Sequence, residues 1–157
     1  MAHSAAGLKS EMRIADMHFS HLPEYAALFA SVFNAEPWHD AWTAETAARR
    51  LRDMMQTNTF IGKAVYCEND LKGIILGQKE QYYDGIHFQI QEFCVRQTEQ
   101  QKGYGKALLS ALRAELSAIG VTNIYLITSK GERTEGYYAK RGFATADHMV
   151  LMTDQEI

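Results

Sequence analysis

Gly103-Tyr104-Gly105, with Gln100-Gln101-Lys102 before it and Lys106 after it, separates a strand-like run from a helix-like run. Glycines at a helix N-terminus let the main chain approach a ligand closely, and the free N–H groups of the first turn favour an anion. Lys102 and Lys106 add positive charge at the same helix end. Pyrophosphate suits such a loop. Two nucleotide motifs are excluded by spacing. A Walker A loop needs a hydroxyl after Gly-Lys, and Ala107 follows Lys106; a dinucleotide turn needs a third glycine, and Leu108 stands there. The alternative is a glycine-tolerant loop ahead of a core helix.

Glu92 interrupts the apolar run Ile90-Gln91-Glu92-Phe93-Cys94-Val95. A carboxylate inside a strand is costly unless it is solvated, paired or functional. A solvent-facing strand position and a catalytic carboxylate are both open readings. Cys67 and Cys94 lie in β-periodic apolar runs and read as small core residues; no neighbour in sequence would activate either thiolate. Neither a CxxC pair nor an HxxxH spacing occurs, so no metal site is expected. The segment Asn34-Ala35-Glu36-Pro37-Trp38-His39-Asp40-Ala41-Trp42 is unusually aromatic and acidic for a connection.

The elements that must position these residues follow from periodicity. The chain has 157 residues and a net charge of −3, with 46% hydrophobic and 22% charged residues, which are values of an ordinary globular protein. Near-neutral charge argues against nucleic-acid binding by bulk electrostatics, and no apolar run reaches the ~20 residues of a membrane span. A cytoplasmic location is the expectation. Residues 1–11 read as a tail or leader, and 12–157 as one α/β domain. Strands are expected at 12–16, 60–67, 71–81, 86–95, 121–128 and 143–152. Helices are expected at 22–34, from a Thr43 cap onward, from the glycine loop to Gly120, and at 134–140. The order βααβββαβαβ is that of a mixed sheet flanked by helices.

Gln100-x-x-Gly103-x-Gly105 resembles the Arg/Gln-x-x-Gly-x-Gly/Ala motif of the GNAT superfamily of acyl-CoA N-acyltransferases. Tyr137-Tyr138-Ala139-Lys140-Arg141-Gly142-Phe143 is similar to that family's Tyr-x-x-x-Gly-Phe signature. The two motifs stand in the family's order, and the resemblance runs over nearly the whole chain from Met12. It implies a GNAT-like fold and direct transfer of an acetyl group from acetyl-CoA to an amine. Such transfer needs a neutral amine, a donor for the oxyanion and a proton for the departing thiolate, with no covalent enzyme intermediate. By resemblance, Gln100, Gln101, Lys102, Gly103, Tyr104, Gly105 and Lys106 form the pyrophosphate loop. Phe93, Cys94 and Val95 present main-chain groups to the pantetheine arm. Tyr138 protonates the thiolate, and Glu92 relays the amine proton or holds the incoming ammonium. For Tyr137 and Tyr138 simple packing is the alternative. Many relatives carry asparagine where this chain has Gly131, which leaves one cofactor contact in doubt.

In that fold the first two helices roof the acceptor site. The spacing Pro37-Trp38-x-x-x-Trp42 is similar to that of aminoglycoside 6′-N-acetyltransferases. It implies an acidic, aromatic-walled pocket from Glu36, Trp38, Asp40 and Trp42, completed by Tyr82 and Tyr83, for a small cationic amine such as an aminosugar or polyamine. The alternative for both tryptophans is to pin the roof onto the sheet. The cofactor loop also resembles histone-type lysine acetyltransferases, so a protein or peptide acceptor stays open. So do a non-catalytic acyl-CoA-binding domain and a homodimer.

Overall fold

The computed structural model describes residues 11–99 and 102–157. The expected tail therefore lies almost wholly outside the described residues, as do Gln100 and Gln101. The chain forms two compact units, one ending at Leu126 and the other spanning Ile127–Ile157.

The first unit is an α/β assembly on a five-stranded mixed sheet in the order β1-β2-β3-β4-β5. Its strands are β1 Met12–Asp16, β2 Phe60–Cys67, β3 Asp70–Tyr82, β4 Gly85–Val95 and β5 Val121–Leu126. The first four pair antiparallel, and β5 joins β4 in parallel through the crossover helix α3, Tyr104–Ala118. Cys67 pairs with Asp70 across a two-residue turn in which Glu68 and Asn69 both take positive φ, the geometry that matches strand twist.

Helix α1, Leu22–Phe33, has Pro23 in its first turn and buries Leu22, Tyr25, Leu28, Phe29 and Val32. Helix α2, Ala44–Met55, starts in a reciprocal cap: Thr43 accepts from the Thr46 amide, and the Thr46 hydroxyl accepts from the Thr43 amide, each at 3.0 Å. It buries Ala47, Leu51 and Met54, and its other face carries Thr46, Arg49, Arg50 and Asp53. Both helices share one core with Ala64, Tyr66, Ile74, Leu76 and Cys94 of the sheet. Each fully buried Leu or Ile of this core, such as Leu51, Ile74 and Leu76, contributes about 1.5–3 kcal/mol. Helix α3 packs against β2 and β3 with Leu108, Leu109, Leu112 and Leu116 buried.

The second unit holds α4, Glu135–Ala139. The strand expected at 143–152 is not formed there: Met149, Val150, Leu151 and Met152 are exposed, and the Met149 amide closes a turn on the Ala146 carbonyl at 3.0 Å. Apolar content is a local property, whereas a strand exists only when another backbone completes its ladder. Likewise β5 stops at Leu126, short of the expected 128.

Candidate active site

A bulge in β4 organises the first unit's chemistry. Leu76 pairs with Glu92 but Gly77 pairs with Ile90, so Gln91 is the extra residue. Glycine is required at 77, because a Cβ there would stand 1.8 Å from the Gln89 carbonyl oxygen. Just before the bulge the β4–β5 ladder ends, at Ile90 opposite Leu126, while β4 continues to Val95. Phe93, Cys94 and Val95 thus occupy the stretch of β4 beyond its last residue paired with β5. A bulge at that place bends one strand away from its neighbour and re-aims the side chains on either side of it.

The bulge turns Glu92 toward α2. Arg50 Nε donates to Glu92 Oε1 at 2.6 Å, with the glutamate side chain 12% exposed and the arginine 42%. Burial raises the Glu92 carboxyl above its ordinary value; Arg50 opposes that rise and Asp40 adds to it. Cys94, on the same face, is buried in the core, and burial, with the nearby Glu92 charge, drives its thiol far up. It is a packing residue, so only its main chain is available to a ligand.

The connection between α1 and α2 lies at the Val95 end of β4, where Gln97 Nε2 donates to the Glu36 carbonyl at 2.7 Å. Asn34 clamps Trp42, its side chain donating to the Trp42 carbonyl at 2.8 Å and accepting from the Trp42 amide at 2.7 Å. Trp42 Nε1 donates to Asp40 Oδ2 at 3.0 Å. The two indoles meet α1 edge-on, Trp42 at 4.9 Å from Phe29 and Trp38 at 5.2 Å from Phe33. Both pin the loop to the helix; Trp42 also walls the groove described next.

That groove, about 580 Å³, runs between α2 and the bulged strands, lined by Trp42, Arg49, Arg50, Asp53, Gln78 and Gln91 among others. Arg49 is held by Glu45 at 2.8 Å and Arg50 by Glu92, whereas Asp53 makes no ion pair among the described residues. Gln91 Oε1 is buried and accepts no hydrogen bond from the described residues. A buried acceptor without a donor is costly, and it marks a wall suited to an N–H or O–H group. The sequence reading passed over Arg50, Asp53 and Gln91. A signal existed: Thr46, Arg49, Arg50 and Asp53 recur at helical spacing opposite the apolar stripe.

Tyr82 and Tyr83 do not join this group. They sit at the β3–β4 turn, where Tyr82 pairs with Gly85, roughly 30 Å along β4 from Val95 at ~3.3 Å per residue. Tyr82 stacks on His87 at 4.1 Å, His87 pairs with Asp84 at 2.9 Å, and Tyr83 is fully exposed. The hairpin sets both tyrosines at its turn, about four residues along β3 from Gln78 and outside the residues that line the groove.

At the start of α3, Gly103 is the N-cap with φ +88°, and among the described residues no atom beyond its chain neighbours lies within 4 Å of where a Cβ would stand. An open, left-handed residue leading into a helix N-terminus leaves main-chain N–H groups accessible to an anion. Lys102 is paired with Glu99 at 2.9 Å, and Lys72 reaches the same carboxylate at 3.4 Å; Lys102, then Lys72, holds it below its ordinary value. Lys106 is exposed and makes no ion pair among the described residues. The Tyr104 side chain turns into the core toward the Cys67 thiol, which with burial pushes its hydroxyl up to about 12. Tyr104 therefore offers a ligand only its main chain.

In the second unit, Tyr138 packs edge-on against Tyr137 at 5.3 Å and Phe143 at 5.6 Å. The Arg141 guanidinium lies 3.5 Å over the Tyr137 ring and donates to the Tyr137 carbonyl at 2.9 Å. Gly142, at φ +90°, lets the Phe143 amide return to the Tyr138 carbonyl at 3.1 Å. Thr134 Oγ1 donates to the Ser129 carbonyl at 2.6 Å beside Gly131, the position that departs from the family pattern.

Among the described residues no helix is long and apolar enough to cross a membrane, and no cluster of three His, Cys, Asp or Glu is placed to hold a metal ion. No curated protein sequence matches the chain. Solved structures do. An aminoglycoside acetyltransferase, meta-AAC0020, from an uncultured soil metagenomic sample in complex with sisomicin superposes with a TM-score of 0.70 at 19% identity, over 93% of this chain and 96% of that one. Aminoglycoside N-acetyltransferase AAC(6')-Iy in complex with CoA gives 0.72 at 15% identity, over 93% and 96%. The ribosomal-protein-alanine N-acetyltransferase from Brucella melitensis biovar Abortus 2308 gives 0.73 at 17%, over 92% and 99%. At these identities the likeness establishes the fold. The model of the Acetyltransferase (GNAT) family matches residues 21–143, most of the chain, and the protein belongs to that family of acetyl-CoA-dependent N-acetyltransferases.

Proposed function

We propose that the protein transfers an acetyl group directly to a small amine carrying more than one positive charge. The observation that carries this reading is the buried Glu92 carboxylate, set beside a groove with an unpaired Asp53, the Trp42 indole and the unfilled Gln91 acceptor. Carboxylate, indole face and amide oxygen all favour a donor-rich cation. Two structural neighbours are aminoglycoside acetyltransferases, which agrees with that chemistry.

Acetyl-CoA supplies the activated acyl group. The open, left-handed Gly103 fits its pyrophosphate, which the amides around Gly103 and Gly105 would hold with Lys106, and with Gln100 and Gln101 by the family motif. Lys102 would have to share itself with Glu99. The main chain of Phe93, Cys94 and Val95 would line the pantetheine arm. Carboxylates near an amine attract it but also favour its charged form, which cannot attack. Glu92 would take that proton, directly or through water, and the Tyr138 hydroxyl would return one to the departing sulfur. Asp40 and Asp53 would bind the amine's remaining charge, with Glu36 and Trp38 at the rim of the roof loop.

Thiol release from acetyl-CoA against spermidine, kanamycin, a lysine peptide and an alanine-ended peptide tests the reading. Turnover on spermidine or kanamycin is the expected result. Turnover confined to the peptides would overturn it.

A further inference from the structure

A glutamate that accepts a proton at neutral pH must be ionised, yet the surroundings of Glu92 oppose ionisation. Its side chain is 12% exposed, its neighbours on the sheet face are Leu76 and Cys94, and Asp40 contributes a like charge from the α1–α2 connection. Among the described residues, the charged groups facing it are Asp40 and, from α2, Arg50. The guanidinium donates through Nε at 2.6 Å and keeps 42% of its side chain in solvent. A cation hydrated on one side and bound to a buried carboxylate on the other supplies counter-charge with a small desolvation cost of its own. Arg50 lines the groove in which Gln91 and Asp53 also stand, so the same side chain that touches Glu92 borders the space beside it.

We propose that Arg50 is a positioning residue for Glu92, fixing the carboxylate at the end of the groove and supplying the counter-charge that keeps it a proton acceptor. The inference rests on the reading of Glu92 as the base. A purely structural tether between α2 and β4 would also show this contact and shift the carboxyl's titration, because an ion pair's stability and its pKa shift are linked, but it would leave the acid limb of kcat where it is.

The test is carboxyl ¹³C NMR on glutamate-labelled protein, with Glu92→Gln assigning the resonance. Wild type, Arg50→Lys and Arg50→Gln are titrated alongside pH–rate profiles on the best amine. In Arg50→Gln the Glu92 midpoint should rise by about one to three pH units, and the acid limb of kcat should follow. Arg50→Lys, which keeps the charge without the planar fork, should recover most of the midpoint and less of kcat. An unmoved midpoint in Arg50→Gln, or a moved midpoint with the acid limb of kcat unmoved, overturns the positioning role and leaves Glu92 as base to be judged by Glu92→Gln. Full turnover in Glu92→Gln overturns the base, and the positioning role with it.

Discussion

Gly103 and Gly120 bracket α3 with φ of +88° and +85°, and at neither would a Cβ come within 4 Å of a described residue other than its chain neighbours. Alanine at either site meets the same penalty, about 1–2 kcal/mol for holding an L-residue in the left-handed region, with no clash added. For a chain this long that is roughly 2–8 °C in Tm, the same for both variants. Only Gly103 opens the helix toward the proposed pyrophosphate. A methyl there intrudes on space an anion needs in order to sit ~2.9 Å from main-chain N–H groups, and beyond ~3.5 Å those hydrogen bonds are lost. Losing or stretching one charge-assisted bond costs ~1.5–3 kcal/mol, so coenzyme A affinity should fall by about tenfold or more in Gly103→Ala. Gly120→Ala should bind as wild type does. Valine at 103 should exceed both penalties, since β-branching deepens the strain. Scanning calorimetry gives the stability terms and titration calorimetry with coenzyme A the affinities. Equal affinities in Gly103→Ala and Gly120→Ala would refute the cradle and leave Gly103 as an ordinary cap.

Glu92→Gln should lower kcat by about 10²–10⁴-fold while raising Tm at neutral pH. Its folded carboxyl is held above the unfolded value by burial, so its contribution is most favourable below the ordinary glutamate range and is lost as pH rises through the raised folded value. The Tm advantage of the glutamine variant should accordingly vanish below about pH 4, as thermal melts across pH would show. Tyr138→Phe should cost about 10²–10⁴-fold in turnover with coenzyme A affinity retained; wild-type turnover would end that assignment. Asp53→Asn should raise KM for a polycationic amine about two- to fivefold and weaken its dependence on salt, since an exposed ion pair contributes ~0.5–1 kcal/mol. Leu51→Ala, which empties a fully buried position beneath α2, should cost about 2–5 kcal/mol and lower Tm by roughly 5–15 °C.

Sequence alone determined what depends on neighbours along the chain. The Thr43 cap, the Pro23 start of α1, the apolar stripes of the helices and the glycine loop are readable because their causes lie within one or two turns of each residue. The family motifs are local too, which is why Gln100–Gly105 and Tyr138–Phe143 could be recognised before any fold was known. Tertiary structure decided what depends on pairing. Whether Glu92 faces solvent or α2 turns on one extra residue, Gln91, and a bulge shows only against the partner strand that it fails to match. Arg50 stands 42 residues before its carboxylate, a separation no periodicity spans. Tyr82 and Tyr83 looked equivalent to the roof-loop aromatics until the hairpin set them at its far end. The run 143–152, read as a strand from its apolar residues, is not assigned as a strand in the structure. Side-chain periodicity records which face is apolar, but a ladder, a bulge or an ion pair is a relation between two distant segments, and it is settled only when the chain brings them together.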